Sequence, residues 1–401
     1  MTEPAQESGA MTGFASDTTE QQEPRVWQFR FEGNAAEYFG IWIVNLFLTV
    51  ITLGIYSAWA KVRTQRYFYG NTLVAGSAFD YTADPVKILY GRIIAVTMLV
   101  SYQLAFTFTL TAGYVVLLLL VVFAPLIYLS SIAFRMRYSA WRGMHFGFDR
   151  DTGRAYLLFA PVMVYVVAVV FAPLLFDVSL EDLPVEEDPD AEIPPELRDF
   201  FLFNAALTFF PLLLFPLWQC FYFRFVGNRV RFGRTGFSLA LKVSSFYRIY
   251  GLAFLLGFGG FMMVAFILFS MGDALVSGAA PGLVVTVVLY SMLVTVYVLV
   301  YAYYRTHMTN LIYSSIHLEK ISFESTLRFA PMFFLYLTNT LGIVATLGLA
   351  IPWAKVRTVR YRAANMVMRA PDLEGFLAGH DDEIDARADA MTDIFDLDIG
   401  L

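Results

Sequence analysis

The chain has 401 residues, of which 58% are hydrophobic and only 15% are charged, and its mean hydropathy is +0.59. Soluble domains are usually about half apolar and about a quarter charged, so this composition excludes an ordinary soluble protein and indicates many membrane segments. Cys220 is the only cysteine and the four histidines are scattered, which excludes an internal disulfide and gives no metal-ligand spacing. With a net charge of −6 we expect no nucleic-acid partner, and we also expect no metal and no cofactor.

The chain begins with a polar stretch and continues with a series of apolar segments. Residues 1–24 are acidic and lack the basic start and short apolar run of a signal peptide, so we expect a disordered leader. The apolar segments follow at 39–59, 93–110, 113–134, 156–176, 201–222, 249–271, 281–303 and 329–353. We therefore predict an all-α polytopic membrane protein with six to eight transmembrane segments, the first and last of which can be re-entrant.

The charges between these segments predict the orientation of the chain. Lysine and arginine concentrate in the connections after the first, third, fifth and seventh segments. The other connections contain one basic residue, Arg198, and include an acidic loop at 177–200. The positive-inside rule therefore places the basic loops in the cytoplasm and the acidic loop outside.

The basic connections also share a local pattern. A Gly or Asn turn lies beside short pieces of alternating apolar residues, as in MHFGF at 144–148, and this pattern predicts small cytoplasmic β-ribbons. We interpret the recurrence as internal repeats within a membrane domain at 25–370, with the repeated elements in 25–92, 135–160, 223–250 and 304–366. The acidic stretch 371–401 is predicted to be a disordered tail.

One sequence occurs twice. Residues 45–71 and 339–365 are identical at 14 of 27 positions, including Thr-Leu-Gly and Trp-Ala-Lys-Val-Arg-Thr. If 39–59 and 329–353 each crossed the bilayer once, these copies would face opposite compartments, although about 21 apolar residues suit a single crossing. If both segments instead break at Gly54 and Gly348, with help from Pro352, and return, then 27 of the 28 Lys and Arg residues are cytoplasmic. We favour the re-entrant alternative.

The duplicated residues are also the candidate binding site. Tryptophan suits the membrane interface, and the Lys and Arg residues beside it then lie at the level of lipid phosphates. If the chain unwinds near the asparagines, their amides can meet a ligand; otherwise we expect them to hydrogen-bond between helices. The candidates for a ligand or lipid headgroup are Asn45, Gly54, Trp59, Lys61, Arg63, Arg66, Asn339, Gly348, Trp353, Lys355, Arg357 and Arg360. For the Trp, Lys and Arg residues we favour simple anchoring of the helix ends, with a specific site as the alternative.

These motifs resemble those of the YjgN family, a bacterial inner-membrane group of unknown function. The similar patterns are N-x6-TLG-x4-WAKVRT-x-RY from Asn45, FxFxGxxxEYF before it from Phe29, and N-x4-G-x2-F-x-Y after it from Asn71. The resemblance covers most of 25–365 and implies a location in the bacterial inner membrane. It implies no reaction, cofactor or catalytic residue.

The predicted function follows from what the apolar segments contain. Their central parts hold no Asp, Glu, Lys, Arg or His, which argues against a proton pump or a classical symporter, and no catalytic motif is present. We therefore predict a protein that is not an enzyme and that handles or transports a lipid or a small anionic solute, with membrane lipids as partners. The alternative is an accessory protein that scaffolds partner proteins through its cytoplasmic loops or acidic tail. The abundant aromatic residues suit interfacial belts or, alternatively, a groove for lipid.

Overall fold

The computed structural model describes residues 25–176, 195–270 and 282–378. The predicted leader, most of the predicted acidic loop and the tail from residue 379 lie outside these residues. Within them, six helices are long and apolar enough to cross a membrane, and small β-sheets accompany them. The predicted fold class, an all-α polytopic membrane protein with β-ribbons, is thereby confirmed.

Side chains at the helix starts fix several boundaries. Asn34 and Asp84 accept hydrogen bonds from the first free N–H groups of the helices that follow them. The helices are α1 (Ala35–Ile51), α2 (Ser57–Gly70), α3 (Pro85–Phe108), α4 (Leu110–Arg137), α5 (Thr152–Leu175), α6 (Pro195–Gly227), α7 (Val243–Ser270), α8 (Gly282–Tyr313), α9 (Phe329–Ala345), α10 (Ile351–Ala364) and α11 (Leu373–Ala378). The strands are β1 (Arg25–Gln28), β2 (Arg30–Phe31), β3 (Thr72–Val74), β4 (Ser77–Tyr81), β5 (Ser139–Trp141), β6 (Met144–Phe148), β7 (Val230–Phe232), β8 (Thr235–Gly236), β9 (Ser238–Leu239), β10 (Ile316–Leu318), β11 (Ile321–Ser325) and β12 (Met366–Ala370).

The strands form a closed ring. One sheet has the order β1-β12-β11-β10-β9 and the other has the order β2-β3-β4-β5-β6-β7-β8, and the paired strands are antiparallel. Only Phe29 separates β1 from β2, and only Phe237 separates β8 from β9, so the two sheets are joined at both ends. Closure of this kind protects the sheet edges from pairing with other chains.

The helices come in pairs that begin and end at neighbouring strands of this ring. In the described part of the chain there are five such strand–helix–helix–strand modules, at 25–74, 77–141, 144–232, 235–318 and 321–370. The second helix of each module packs against the first helix of the next, and α10 of the fifth module packs against α1 of the first. The helices therefore also form a closed ring, which adjoins the ring of strands.

The first and fifth modules contain the duplicated sequence and have the shortest helices. Each consists of a 17-residue helix, a turn and a 14-residue helix. The helix pair α1–α2 starts at β2 and ends at β3, which pair with each other, and α9–α10 starts at β11 and ends at β12, which also pair. Both segments therefore return to the side from which they start, as the re-entrant alternative predicts and a single crossing does not.

Both reversals occur at the predicted Thr-Leu-Gly. Leu53 and Leu347 have the left-handed φ values of 50° and 49°, and Gly54 and Gly348 have φ values of 93° and 94°. The N–H of each glycine donates to the carbonyl oxygen five residues earlier, at 2.8 Å in both copies, which is the Schellman arrangement for ending a helix. Pro352 lies in the first turn of α10, where its missing N–H costs no hydrogen bond. Each turn presents an apolar side chain at its surface, since Leu53 and Leu347 are 94% and 95% exposed.

Two predicted boundaries differ from the structure. The acidic loop was predicted to extend to residue 200, but α6 begins at Pro195. The tail was predicted to be disordered from residue 371, but it begins with α11, whose Leu373 is buried in the core of the strand ring. The acidic composition of the whole tail concealed the apolar residues at its start, which pack against the ring.

Candidate functional site

The ring of strands encloses a cavity of about 540 Å³, which we call the chamber. Successive side chains of a strand point to opposite faces, so every second residue points inward. In β4, Phe79 lines the chamber while Ala78 and Asp80 are exposed, and in β12 Met368 lines it while Arg369 is exposed. The volume lies within the range of about 300–1,000 Å³ that is typical of small-molecule sites.

Aromatic rings make up much of the chamber wall. Phe29 stacks on Phe79 with the ring centroids 6.4 Å apart. Phe237 lies 6.4 Å from Phe146 and 6.5 Å from Phe323, so it connects the two sheets through side chains as well. Such a wall favours apolar groups and offers little to a strongly hydrated solute. The aromatic residues of the lining are Phe29, Tyr69, Phe79, Trp141, Phe146, Phe232, Phe237, Tyr313, Phe323 and Phe376.

The chamber adjoins the ends of the helices. Tyr69, Met136, Tyr313 and Ala363 line it from the last turns of α2, α4, α8 and α10, which are second helices of their modules. Arg362 adds a charged side chain to this part of the lining. A molecule in the chamber is therefore close to the end of the helix ring.

Helix α11 adds a short cover to the chamber. Phe376 lines the chamber and stacks on Phe232 with the ring centroids 6.4 Å apart. The Glu374 carboxylate pairs with Arg142 Nη1 at 2.9 Å, and Arg142 Nη2 donates to the carbonyl oxygen of Ala75 at 2.8 Å. These contacts attach α11 to the β5–β6 and β3–β4 turns.

Among the residues predicted from the sequence, Asn45 and Asn339 are both buried. Their amide groups donate to the return helix of the same module, Asn45 to the carbonyl oxygen of Ala60 at 3.5 Å and Asn339 to that of Ala354 at 3.3 Å. The chain does not unwind at either residue, because α1 and α9 continue through them. The structure therefore shows the predicted hydrogen bonds between helices and not an unwound segment.

The predicted arginines Arg66 and Arg360 connect neighbouring modules. Arg66 Nε donates to the carbonyl oxygen of Tyr81 at 3.2 Å, in the second module, and Arg360 Nη2 donates to that of Gly33 at 2.8 Å, in the first. Arg224 makes an equivalent bond from α6 to the fourth module. Each of these guanidinium groups thus donates to a backbone carbonyl of the next module, which is a structural role.

The two predicted lysines have different neighbours. Lys355 lies over the rings of Tyr38 and Phe68, with Nζ 5.4 and 4.6 Å from the ring centroids, and its ammonium group reaches the Tyr38 hydroxyl at 3.3 Å. These contacts stabilise the positive charge. Lys61, at the same position of the duplicated sequence, is half-buried on α2 between the first and second modules.

The remaining predicted residues also differ between the copies. Arg357 lies 5.0 Å above the ring of Trp353, whereas its counterpart Arg63 is exposed. Trp59 is half-buried and stacks on Tyr56 with the centroids 6.2 Å apart. The structure therefore does not bring all predicted residues into one site: the two copies lie in separate modules, and none of the predicted side chains lines the chamber.

The chamber was not located by sequence reasoning. The available signals were the alternating Phe residues of the ribbons and the high aromatic content, which also suit interfacial belts. A chamber appears only when the strand at 25–31 meets the strand at 366–370, and that pairing joins opposite ends of the domain. In the described ranges, no group of three or more His, Cys, Asp or Glu residues could hold a metal ion.

Comparisons with known proteins agree with the resemblance noted in the sequence. The family described as bacterial protein of unknown function (DUF898) matches residues 27–394. The inner membrane protein YjgN of Salmonella typhimurium is 25% identical over 380 residues, which cover 88% of this chain and 91% of the relative. The inner membrane proteins YjgN of Escherichia coli O157:H7 and K12 are 30% and 31% identical over 126 residues, which cover 30% of this chain and 31% of each relative. No solved structure matches.

Proposed function

We propose, from the premise that this chain belongs to the DUF898 family of bacterial proteins of unknown function, that it handles membrane lipids by holding an acyl chain in its chamber. The chain is a membrane protein, as its six long apolar helices and its relatives indicate. The proposal goes further and assigns a ligand class. The single observation that carries it is the aromatic-lined chamber at the end of the helix ring.

The chamber suits a hydrocarbon chain better than the other predicted ligand, a small anion. Its aromatic wall makes favourable contact with methylene groups but cannot replace the hydration shell of an ion. In a membrane the abundant molecule with a long apolar part is lipid. The last turns of α2, α4, α8 and α10 line the chamber, so an acyl chain has a short path between helix ring and chamber.

The proposal includes an orientation and an origin for the fold. The basic connections carry the strands, so the positive-inside rule supports a cytoplasmic ring of strands in the inner membrane. In that orientation the lipid comes from the cytoplasmic leaflet.

The five modules with one order of elements support descent from a single repeated unit. Binding and release then require no titratable group in the central parts of the predicted apolar segments.

A pair of neighbouring alanines tests the proposal. Ala363 is buried and lines the chamber, whereas Ala364, the next residue of α10, is exposed. We expect Ala363→Trp to fill part of the chamber and to weaken binding of a fluorescent long-chain alcohol to the purified protein at least tenfold. Ala364→Trp adds the same side chain outside the chamber and should leave binding unchanged. The uncharged alcohol is chosen so that only the chain is tested.

Equal binding by the wild type and both variants would contradict the chamber as the lipid site. Absence of binding by the wild type, together with a protein partner that copurifies in stoichiometric amount, would support the accessory function instead. Thermal unfolding of both variants shows whether either substitution disturbs the fold. A loss of binding in Ala363→Trp with an unchanged unfolding temperature would support the chamber.

A further inference from the structure

A second site is indicated by a group of positive charges between the first and second modules. Lys61 of α2 and Arg92 of α3 are half-buried, and Arg135 near the end of α4 is exposed. Arg92 hydrogen-bonds to the hydroxyl of Ser57. Burial lowers the pKa of Lys61, and the nearby guanidinium groups of Arg92 and Arg135 lower it further. Within the described residues, no carboxylate pairs with any of these three side chains.

The duplicated sequence provides an internal comparison for this group. Lys355 is equivalent to Lys61, and it rests on Phe68, which lies four residues before β3. The residue four positions before β5, and hence the counterpart of Phe68 in the next module, is Arg135. At one module junction the lysine therefore lies over an aromatic ring, and at the other the position equivalent to that ring holds a cation, Arg135, whose charge acts on Lys61.

The first helices of the adjoining modules, α1 beside Lys355 and α3 beside Lys61, also differ. Lys355 reaches Tyr38, the fourth residue of α1, whereas the fourth residue of α3 is Ile88. Lys61 thus has neither the ring nor the hydroxyl that stabilise the charge of Lys355. Like charges that are partly removed from water and lack a counter-ion repel one another. An anion between α2, α3 and α4 would reverse that repulsion.

We propose that Lys61, Arg92 and Arg135 bind an anion of the phosphate class, either the headgroup phosphate of a lipid or free phosphate. Arginine binds phosphate with two parallel hydrogen bonds, and lysine adds a compact charge with three donors. The lipid form of this inference rests on the proposed function of the chamber. A lipid headgroup also fits the position of the three positive side chains, because Met136, next to Arg135, lines the chamber.

Thermal unfolding in detergent tests the site with the full-length protein. The probes are inorganic phosphate, dioctanoyl phosphatidylglycerol and dioctanoylglycerol, which has the same chains without phosphate. We expect a phosphate-bearing probe to raise the unfolding temperature of the wild type, and Lys61→Gln to weaken its apparent affinity at least fivefold. Lys355→Gln removes the equivalent lysine of the duplicated sequence and should not change the affinity. Stabilisation by inorganic phosphate alone identifies a free-phosphate site, and stabilisation by the phospholipid only identifies a headgroup site.

A second variant separates binding from a merely structural effect. Arg135→Phe installs the ring that Lys355 has, so it should raise the unfolding temperature without any probe. It should also abolish the stabilisation by inorganic phosphate and reduce that by the phospholipid to the level of dioctanoylglycerol. The inference would be wrong if Lys61→Gln and Lys355→Gln behaved alike, or if inorganic phosphate failed to stabilise the wild type and the phospholipid stabilised it no more than dioctanoylglycerol.

The results also distinguish this site from the chamber. Loss of dioctanoylglycerol binding in Ala363→Trp, with full phosphate response in Lys61→Gln, would support the chamber and contradict the charged site. Loss of the phosphate response in Lys61→Gln, with equal chain binding in Ala363→Trp and Ala364→Trp, would support the charged site and contradict the chamber.

Discussion

Replacement of Gly54 by alanine tests the turn that makes the first membrane segment return. Gly54 has a φ of 93°, a conformation that side-chain-bearing residues rarely adopt. A Cβ at this position would meet nothing within 4 Å, so the cost of Gly54→Ala is conformational and not steric. Left-handed backbone costs an L-residue about 1–2 kcal/mol. We therefore expect Gly54→Ala to lower the free energy of unfolding by about that amount.

Gly40 provides a control of opposite sign. It lies inside α1, and a Cβ there would also meet nothing within 4 Å. Alanine is favoured over glycine within a helix by about 0.5–1 kcal/mol, so Gly40→Ala should stabilise the protein. The two variants should therefore differ by about 1.5–3 kcal/mol, although each adds one methyl group to the same hairpin.

The assay is reversible unfolding in mixed micelles with increasing denaturing detergent, followed by far-UV circular dichroism. Gly348→Ala should behave like Gly54→Ala, because its φ of 94° is nearly the same and its Cβ would make only an ordinary contact, 3.6 Å from Ile351. If Gly54→Ala were as stable as Gly40→Ala, the left-handed turn at Thr-Leu-Gly would not exist, and a continuous crossing helix would be the better description.

Three further predictions concern the chamber, its cover and an ion pair within the third module. The affinity for straight-chain alcohols should rise about fourfold per methylene, or about 0.8 kcal/mol, and level off once the chamber is full, as measured by displacement of a fluorescent probe. A rise without a plateau would contradict binding in a chamber of limited volume. Glu374→Lys should increase amide hydrogen exchange in α11 by up to about fivefold, because the Glu374 side of the ion pair with Arg142 is largely exposed and such pairs contribute up to about 1 kcal/mol. Unchanged exchange would mean that other contacts hold α11. The N–H of Arg154 and the guanidinium of Arg229 lower the pKa of Asp151, so its contribution to stability is present above the ordinary pKa of 3.8 and is lost as the pH falls through the lower folded value. Unfolding measured from pH 5 downward should show a smaller acid-induced loss in Asp151→Asn than in the wild type, and equal losses would contradict this linkage.

Much of the local structure was determined by the sequence alone. The apolar segments, the ribbon turns and the break at Thr-Leu-Gly depend on residues close together in the chain, so hydropathy, alternation and glycine position predict them. The duplicated sequence correctly indicated two hairpins of equal construction, including the equivalent hydrogen bonds of Asn45 and Asn339. Composition misled at two places: α6 begins at Pro195, within the predicted acidic loop, and Leu373 at the start of the acidic tail is buried against the strand ring.

The chamber and the charged site were decided by tertiary structure. The chamber wall combines Phe29 with Phe376, which come together only when the first and last strands of the domain pair and the ring closes. Lys61 and Lys355 have similar neighbours along the chain but different surroundings in space, since the positive charges of Arg92 and Arg135 act on Lys61 whereas Lys355 lies over the ring of Phe68. A short sequence fixes its own helix and turn, whereas the charge and shape around it come from the module packed beside it.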